Sequence, residues 1–230
     1  MLRYAFLVAI GLLATAAPLS AQPAKDAAPP SASAPMESPA SPDSMEDAQP
    51  GDHWTYELRD EIAGEVKGTY TNVVTDVSGT EIGARVGMTG NSNTGYVTFD
   101  RTWNVKNTAL WRYNPNDGSG IRLPLAAGKT WTFQSTDVNS TNGFSSKRSG
   151  SSKVVGQESV TTRAGTFDTF KIETTYSLRS TNDPTKKVQV TTQMWYAPAI
   201  NHWVKRASVS KADGHVRDNS TMELVEYGRR

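Results

Sequence analysis

The sequence has no cysteine and only three histidines, His53, His202 and His215, in 230 residues. The first absence excludes disulfides, thiol catalysis, thiolate metal sites and a lipid-modified cysteine. The histidines have no paired spacing and form no H-E-x-x-H, so nothing points to a histidine metal centre. A G-x-S-x-G nucleophile elbow and a Gly-rich phosphate loop are also missing. "DVNSTNG" (137–143) opens like a calcium loop, but its twelfth position is Arg148 where a Glu is needed, so it reads as a turn. Asp60, Glu61, Glu65, Glu81 and Glu158 stand beside turns or on strand exteriors. A glycosidase dyad built from distant strands stays open, because sequence cannot show the pairing. The expectation is a non-enzymatic protein without a cofactor.

Long apolar runs are equally scarce. "AFLVAIGLLATAA" (5–17), preceded by Arg3, has the length of a signal-peptide core and is too short for a membrane span. Cleavage is expected between Ala21 and Gln22. Without a lipobox cysteine, this places the mature chain in the periplasm or outside the cell, with no transmembrane segment. Residues 22–50 hold seven of the twelve prolines and no aromatic residue, and are predicted to be a disordered linker of charge −4. The remaining 180 residues carry 22 Lys plus Arg against 18 Asp plus Glu, a surplus of 4. Spread along the chain, that surplus is a solvated surface and not a nucleic-acid footprint. In an exported bacterial chain, the sequons at Asn139 and Asn219 are accidental.

What remains is period two. "YVTFDRTW" (96–103), "FKIETTYSL" (170–178) and "VQVTTQMWY" (188–196) alternate apolar and polar positions, and Gly- and Asn-rich turns separate such runs. No helical periodicity competes. The prediction is one all-β domain over 51–230, an antiparallel sandwich or partly open barrel of about ten to twelve strands.

The tryptophans add an internal order. "GDHWTY" (51–56) and "GKTWTF" (128–133) share a pattern, and each is followed by two tryptophans spaced by eight: Trp103 and Trp111, then Trp195 and Trp203. This implies two similar halves, 51–127 and 128–230. A turn over 197–201 would set Trp195 opposite Trp203, and a three-residue loop over 106–108 would set Trp103 opposite Trp111. Opposed aromatic pairs register antiparallel strands. In that register Trp195 and Trp203 lie on the polar face, away from Val188, Val190, Met194 and Tyr196. Two readings stay open: sheet-registering core residues, or a stacking platform in which Trp103, Trp111, Trp195 and Trp203 contact a hydrophobic or glycan-like ligand while Arg112 and Lys205 pair an anionic group. "AGTF" (164–167) reads as a turn with positive φ at Gly165; Phe167 and Phe170 have opposite parity, so burial of both would need a bulge near Asp168-Thr169, and the Asp168 carboxylate would cap or bond turn amides.

Three stretches carry a family likeness. "LPLAAGKTWTF" (123–133), "GQESVTTRAGTFDTFKIE" (156–173) and "TTQMWYAPAINHWVKR" (191–206), with "MELVEY" (222–227), resemble the exported bacterial TapB-like family, a domain of unknown function of the 3108 type. The likeness covers 51–227, with Arg163 where such proteins often have Pro. It implies an antiparallel β domain in the cell envelope and brings no catalytic residue, cofactor or substrate. The functions expected are a binding module for a hydrophobic or glycan-like ligand or a partner protein, an assembly factor docking by an edge strand, or an enzyme of unrecognised type.

Overall fold

The computed structural model describes residues 45, 47–91 and 94–229. The predicted signal peptide and most of the predicted linker lie outside them. Twelve strands follow one another: β1 (His53–Asp60), β2 (Glu65–Val77), β3 (Glu81–Met88), β4 (Thr94–Asp100), β5 (Val105–Asn107), β6 (Trp111–Asn114), β7 (Thr130–Asn139), β8 (Ser145–Thr162), β9 (Gly165–Ser180), β10 (Lys187–Ala197), β11 (His202–Ala212) and β12 (His215–Gly228). Each pairs antiparallel with its neighbours in sequence, and β1 pairs with β12, so the sheet is a closed up-and-down barrel rather than a sandwich or a partly open one.

Alternation assigns the faces. Ile172 on β9 stands beside Val154 on β8 and Met194 on β10, and Met194 beside Arg206 on β11. This row points inward. Outward positions of the same strands include Lys171, Glu173, Gln193 and Lys205, a polar set unlike the apolar band of a lipid-facing barrel. Eight strands give an interior just wide enough for side chains to fill. Twelve enclose more, and the interior is occupied by two apolar clusters, one around Trp54, Tyr56 and Leu224, the other around Trp131, Phe133, Ile172 and Met194. Toward the β7–β8 turn it becomes polar, with Ser135, Asp137, Ser146 and Arg148 buried.

Because the strands alternate in direction, the β2–β3, β4–β5, β6–β7, β8–β9 and β10–β11 connections share one end with the start of β1. The β8–β9 hairpin overshoots that end. A bulge between Val154 and Gly156 bends it, and its tip lies over the outside of the barrel: Phe167 meets the Tyr227 ring at 5.6 Å, Arg163 bonds Glu57, and Glu158 accepts from Trp195 Nε1. Pairing within the hairpin runs unbroken from Gln157 with Phe170 to Thr162 with Gly165, so no bulge forms at Asp168. None is needed, since both faces are covered and Phe167 and Phe170 join different clusters. Gly165 takes φ 134°, and the turn amide of Ala164 donates to Thr162 Oγ1 at 3.1 Å rather than to Asp168, which is exposed.

The described residues packed on the barrel include some before residue 51. Met45 and Ala48, at the end of the predicted linker, are buried, and Met45 N–H donates to Ala199 O at 3.2 Å. Asp52, fully buried, accepts from Arg229 at 2.8 and 3.2 Å, which ties the segment to the far end of the chain. Trp54 and Trp131 stand near the starts of β1 and β7, six strands apart, but Trp103 and Trp111 do not occupy places equivalent to Trp195 and Trp203.

Candidate functional site

Neither predicted tryptophan pair forms. On β10 and β11 the register shifts by one residue, so Trp195 faces Lys205, Tyr196 faces Trp203 and Val204 is the extra residue. A one-residue slip exchanges faces. Trp203 therefore turns inward with Met194 and Tyr196 while Trp195 turns outward, and no platform is made from the two. Trp195 is buried there under the β8–β9 hairpin, with Lys171 and Lys205 ammoniums 4.9 and 5.8 Å from its ring. Lys205 also pairs with Glu223 at 3.5 Å. In the other predicted hairpin, residues 105–107 are themselves a strand and Trp103 sits in the turn before it, so Trp103 and Trp111 are not opposed. Trp111 packs its edge on Phe144, and Arg112 is exposed beside Val138.

Trp103 and Trp203 meet elsewhere, at the barrel end that carries the β4–β5 and β10–β11 turns. Trp103 has φ 63°, a left-handed conformation that a bulky side chain adopts only when its surroundings demand it. The demand comes from Asp100. Its Oδ1 accepts the backbone N–H groups of Thr102 at 2.9 Å and Asn104 at 3.0 Å, and its Oδ2 accepts Asn104 Nδ2 at 2.9 Å. The Trp103 ring then lies against Trp54, Phe99 and His202 at centroid distances of 5.5, 5.4 and 4.7 Å. From the β10–β11 turn, Asn201, also left-handed, offers one amide oxygen to Trp103 Nε1 at 3.2 Å and to the Tyr196 hydroxyl at 2.9 Å. The two turns are thereby locked together.

His202 is held as firmly. Its ring stacks on Trp54 at 4.4 Å, and Nδ1 lies 2.6 Å from the Tyr56 hydroxyl, which donates to Trp203 O at 2.9 Å. A phenol has one proton, so both contacts are bonds only if Nδ1 carries a hydrogen and Nε2 does not. Burial foremost, with the Arg206 charge adding to it, lowers the His202 pKa to about 3 against a bond to the Trp203 backbone, and the ring is neutral. Burial likewise raises the Tyr196 hydroxyl to about 12.

Beneath this cluster lies a cavity of about 240 Å³. Its walls are mostly apolar: Val86, Val97, Phe99, Val105, Ile121 and Met194 complete what Trp103, Tyr196 and Trp203 begin. The β6–β7 connection supplies one side, tied down by Ile121 N–H on Thr102 O at 2.7 Å and by Gly120 N–H on Asn104 Oδ1 at 2.8 Å. Asn72, Thr108 and Ser119 are polar points on the wall, and Arg206 alone of the described lining residues is formally charged. Of the residues the sequence singled out, Trp103 and Trp203 line the cavity, and Trp111, Trp195, Arg112 and Lys205 do not. Tyr196, His202, Phe99 and Arg206 were missed. For Arg206 the signal was there, since Lys205 and Arg206 are adjacent on an alternating strand and one of them has to face inward.

The former calcium-loop candidate is a closed unit. Arg148, in the twelfth position, pairs with Asp137, in the first, at 2.8 Å, and Asn139 Oδ1 accepts turn amides from Thr141 and Asn142.

No curated protein matches the sequence. Among solved structures, the crystal structure of a protein described as a lipoprotein from Parabacteroides distasonis ATCC 8503 aligns with a TM-score of 0.50 at 15% identity, over 78% of this chain and 95% of that one. An exported protein with a YmcC-like fold from Bacteroides fragilis NCTC 9343 gives 0.46 at 14% identity, over 79% and 97%. YmcC of Escherichia coli K12, described as a hypothetical lipoprotein, gives 0.47 at 14%, over 78% and 90%. At such identities the first of these shows a shared fold and nothing more. The family likeness covers a narrower stretch than 51–227: residues 130–216, from β7 into the start of β12, are similar to the DUF3108-like family.

Proposed function

We propose that the protein is an exported, non-catalytic binding module that encloses a small hydrophobic ligand in the end of its barrel. The carrying observation is the cavity walled by Trp103, Trp203, Tyr196 and Phe99, whose positions are set by the strained Asp100 turn and the Asn201 bonds rather than left to side-chain freedom. Preformed apolar concavities with a few fixed polar groups are the usual form of small-ligand sites. A glycan fits this wall less well, because a sugar needs many hydrogen-bond partners and the wall offers few. A non-enzymatic reading is supported by the neutral His202, engaged by Tyr56, and by the lack of any carboxylate among the described lining residues. Export to the periplasm or beyond is supported by the signal-like apolar segment at residues 5–17.

Docking by strand addition has a narrower basis than the sequence allowed. Closure pairs most strand edges, and the one-sided stretches include residues 94–97 of β4, 130–135 of β7 and the hairpin extension, where 155–162 of β8 and 165–169 of β9 pair only with each other.

The test is a titration of the purified protein with 1-octanol, followed by tryptophan emission. A saturable change with one site per chain is expected, and Val97→Phe, which fills the cavity, should abolish it while the near-UV circular dichroism stays native. A linear, unsaturable response in the wild type would refute the reading.

A further inference from the structure

We propose that Arg206 makes this cavity selective for an anion: a small carboxylic acid whose compact apolar body lies among Trp103, Trp203, Phe99 and Val97 while its carboxylate pairs with the guanidinium. The inference rests on the reading that the cavity holds a ligand, and adds its chemical class.

Position comes first. Arg206 stands between Met194 on β10 and Met222 on β12, both on the inward face, and its side chain lines the cavity. A guanidinium among apolar side chains is costly unless it is paired and hydrogen-bonded. Its neighbours obey that rule. Lys205, one residue earlier on the outer face, has Glu223 at 3.5 Å, and the inward-facing Arg148 has Asp137 at 2.8 Å. Arg206 has no ion pair or hydrogen bond with any described residue, and no carboxylate lines the cavity with it. Only its partial exposure offsets the cost.

The chemistry of the rest of the wall is consistent with one anion and no second charge. His202 is neutral, so Arg206 is the single fixed charge among the described lining residues, and Asn72 lines the same cavity with an amide that can donate. Arg presents a fork of N–H donors that suits a carboxylate in two parallel bonds. Size limits the body. An engineered cavity of about 150 Å³ holds benzene, and at about 240 Å³ this one takes a single ring with a short tail or a medium acyl chain, not a two-chain lipid.

The experiment is calorimetric titration at pH 7 of the full mature chain with octanoate and with 1-octanol, its uncharged analogue, using wild type, Arg206→Gln and Arg206→Lys. Octanoate is expected to bind more tightly than 1-octanol by about tenfold or more, the scale of a hydrogen bond to a charged group. Arg206→Gln should erase that preference while keeping 1-octanol affinity, which also shows that the variant is folded. Arg206→Lys should keep part of it. Equal wild-type affinities for the two compounds, or a preference that survives Arg206→Gln, would overturn the anion assignment and leave the apolar pocket standing. Binding of neither compound would overturn both.

Discussion

Arg148 on β8 and Arg206 on β11 both begin from inward positions of the barrel, opposite Leu178 and Met194. Around Arg148 the protein has built everything a buried cation requires. Asp137 accepts from its Nε at 2.9 Å and from a terminal nitrogen at 2.8 Å, and the Tyr176 and Tyr113 rings lie 4.6 and 5.2 Å from its guanidinium carbon. Arg206 has aromatic and aliphatic neighbours, a cavity, and no counter-charge among the described residues. The same side chain is thus a structural element at one end of the barrel and an unspent binding group at the other. What separates them is whether the fold itself supplies the anion.

Breaking the Arg148 unit should give the largest effect. Asp137→Ala leaves a buried, uncompensated guanidinium, and urea unfolding should show a loss of about 3–5 kcal/mol. The double change Asp137→Leu with Arg148→Met should recover most of it, since a well-packed apolar replacement for a buried ion pair is often neutral or better.

An intermediate effect belongs to His202, which carries the influence of Arg206 into folding. Its folded pKa near 3 lies below the unfolded value near 6.5, so between them the unfolded state binds the extra proton. Stability is therefore full above about pH 6.5 and falls by about 1.4 kcal/mol per pH unit toward pH 3. His202→Gln should flatten the upper part of this decline, from pH 6.5 to 4.5, where carboxylates contribute least. Arg206→Met should end the decline at a higher pH, because the charge that adds to burial in keeping the ring neutral is gone.

The smallest effect sharpens the comparison most. In the ligand-free protein Arg206→Met breaks no ion pair, so the unfolding free energy at pH 7 should stay within about 1 kcal/mol of the wild type, or rise. A loss as large as that of Asp137→Ala would mean that Arg206 is structural after all.

The inward face of β9 and β10 was legible because Phe170, Ile172, Leu178, Val190 and Met194 recur at period two, and the resemblance to an envelope β domain pointed the same way. Barrel closure was not legible, because β1 and β12 pair across the whole sequence and nothing local announces a partner so far away. The fate of the predicted Trp195–Trp203 pair turned on one residue. Val204 is an ordinary strand former, yet as the extra residue of a bulge it reverses the parity of Trp203 relative to Lys205 and Arg206. With regular pairing Trp203 joins Trp195 outside; with the bulge it enters the cavity wall. Trp103 escaped for a related reason. The alternation through Val97 and Phe99 carries the eye to it, but Asp100 ends the strand and folds the chain over before it arrives.

The Asp52–Arg229 ion pair brings the first and last ordered stretches of the barrel side by side at the β1–β12 seam. In a meander whose strands pair only with their sequence neighbours, that contact makes the order of elements cyclic. The protein could be opened at a turn such as Asp213–Gly214 and rejoined between its natural ends, and every strand would still find the same two partners. The chain has ends, but the architecture it encodes is a ring with no privileged starting point.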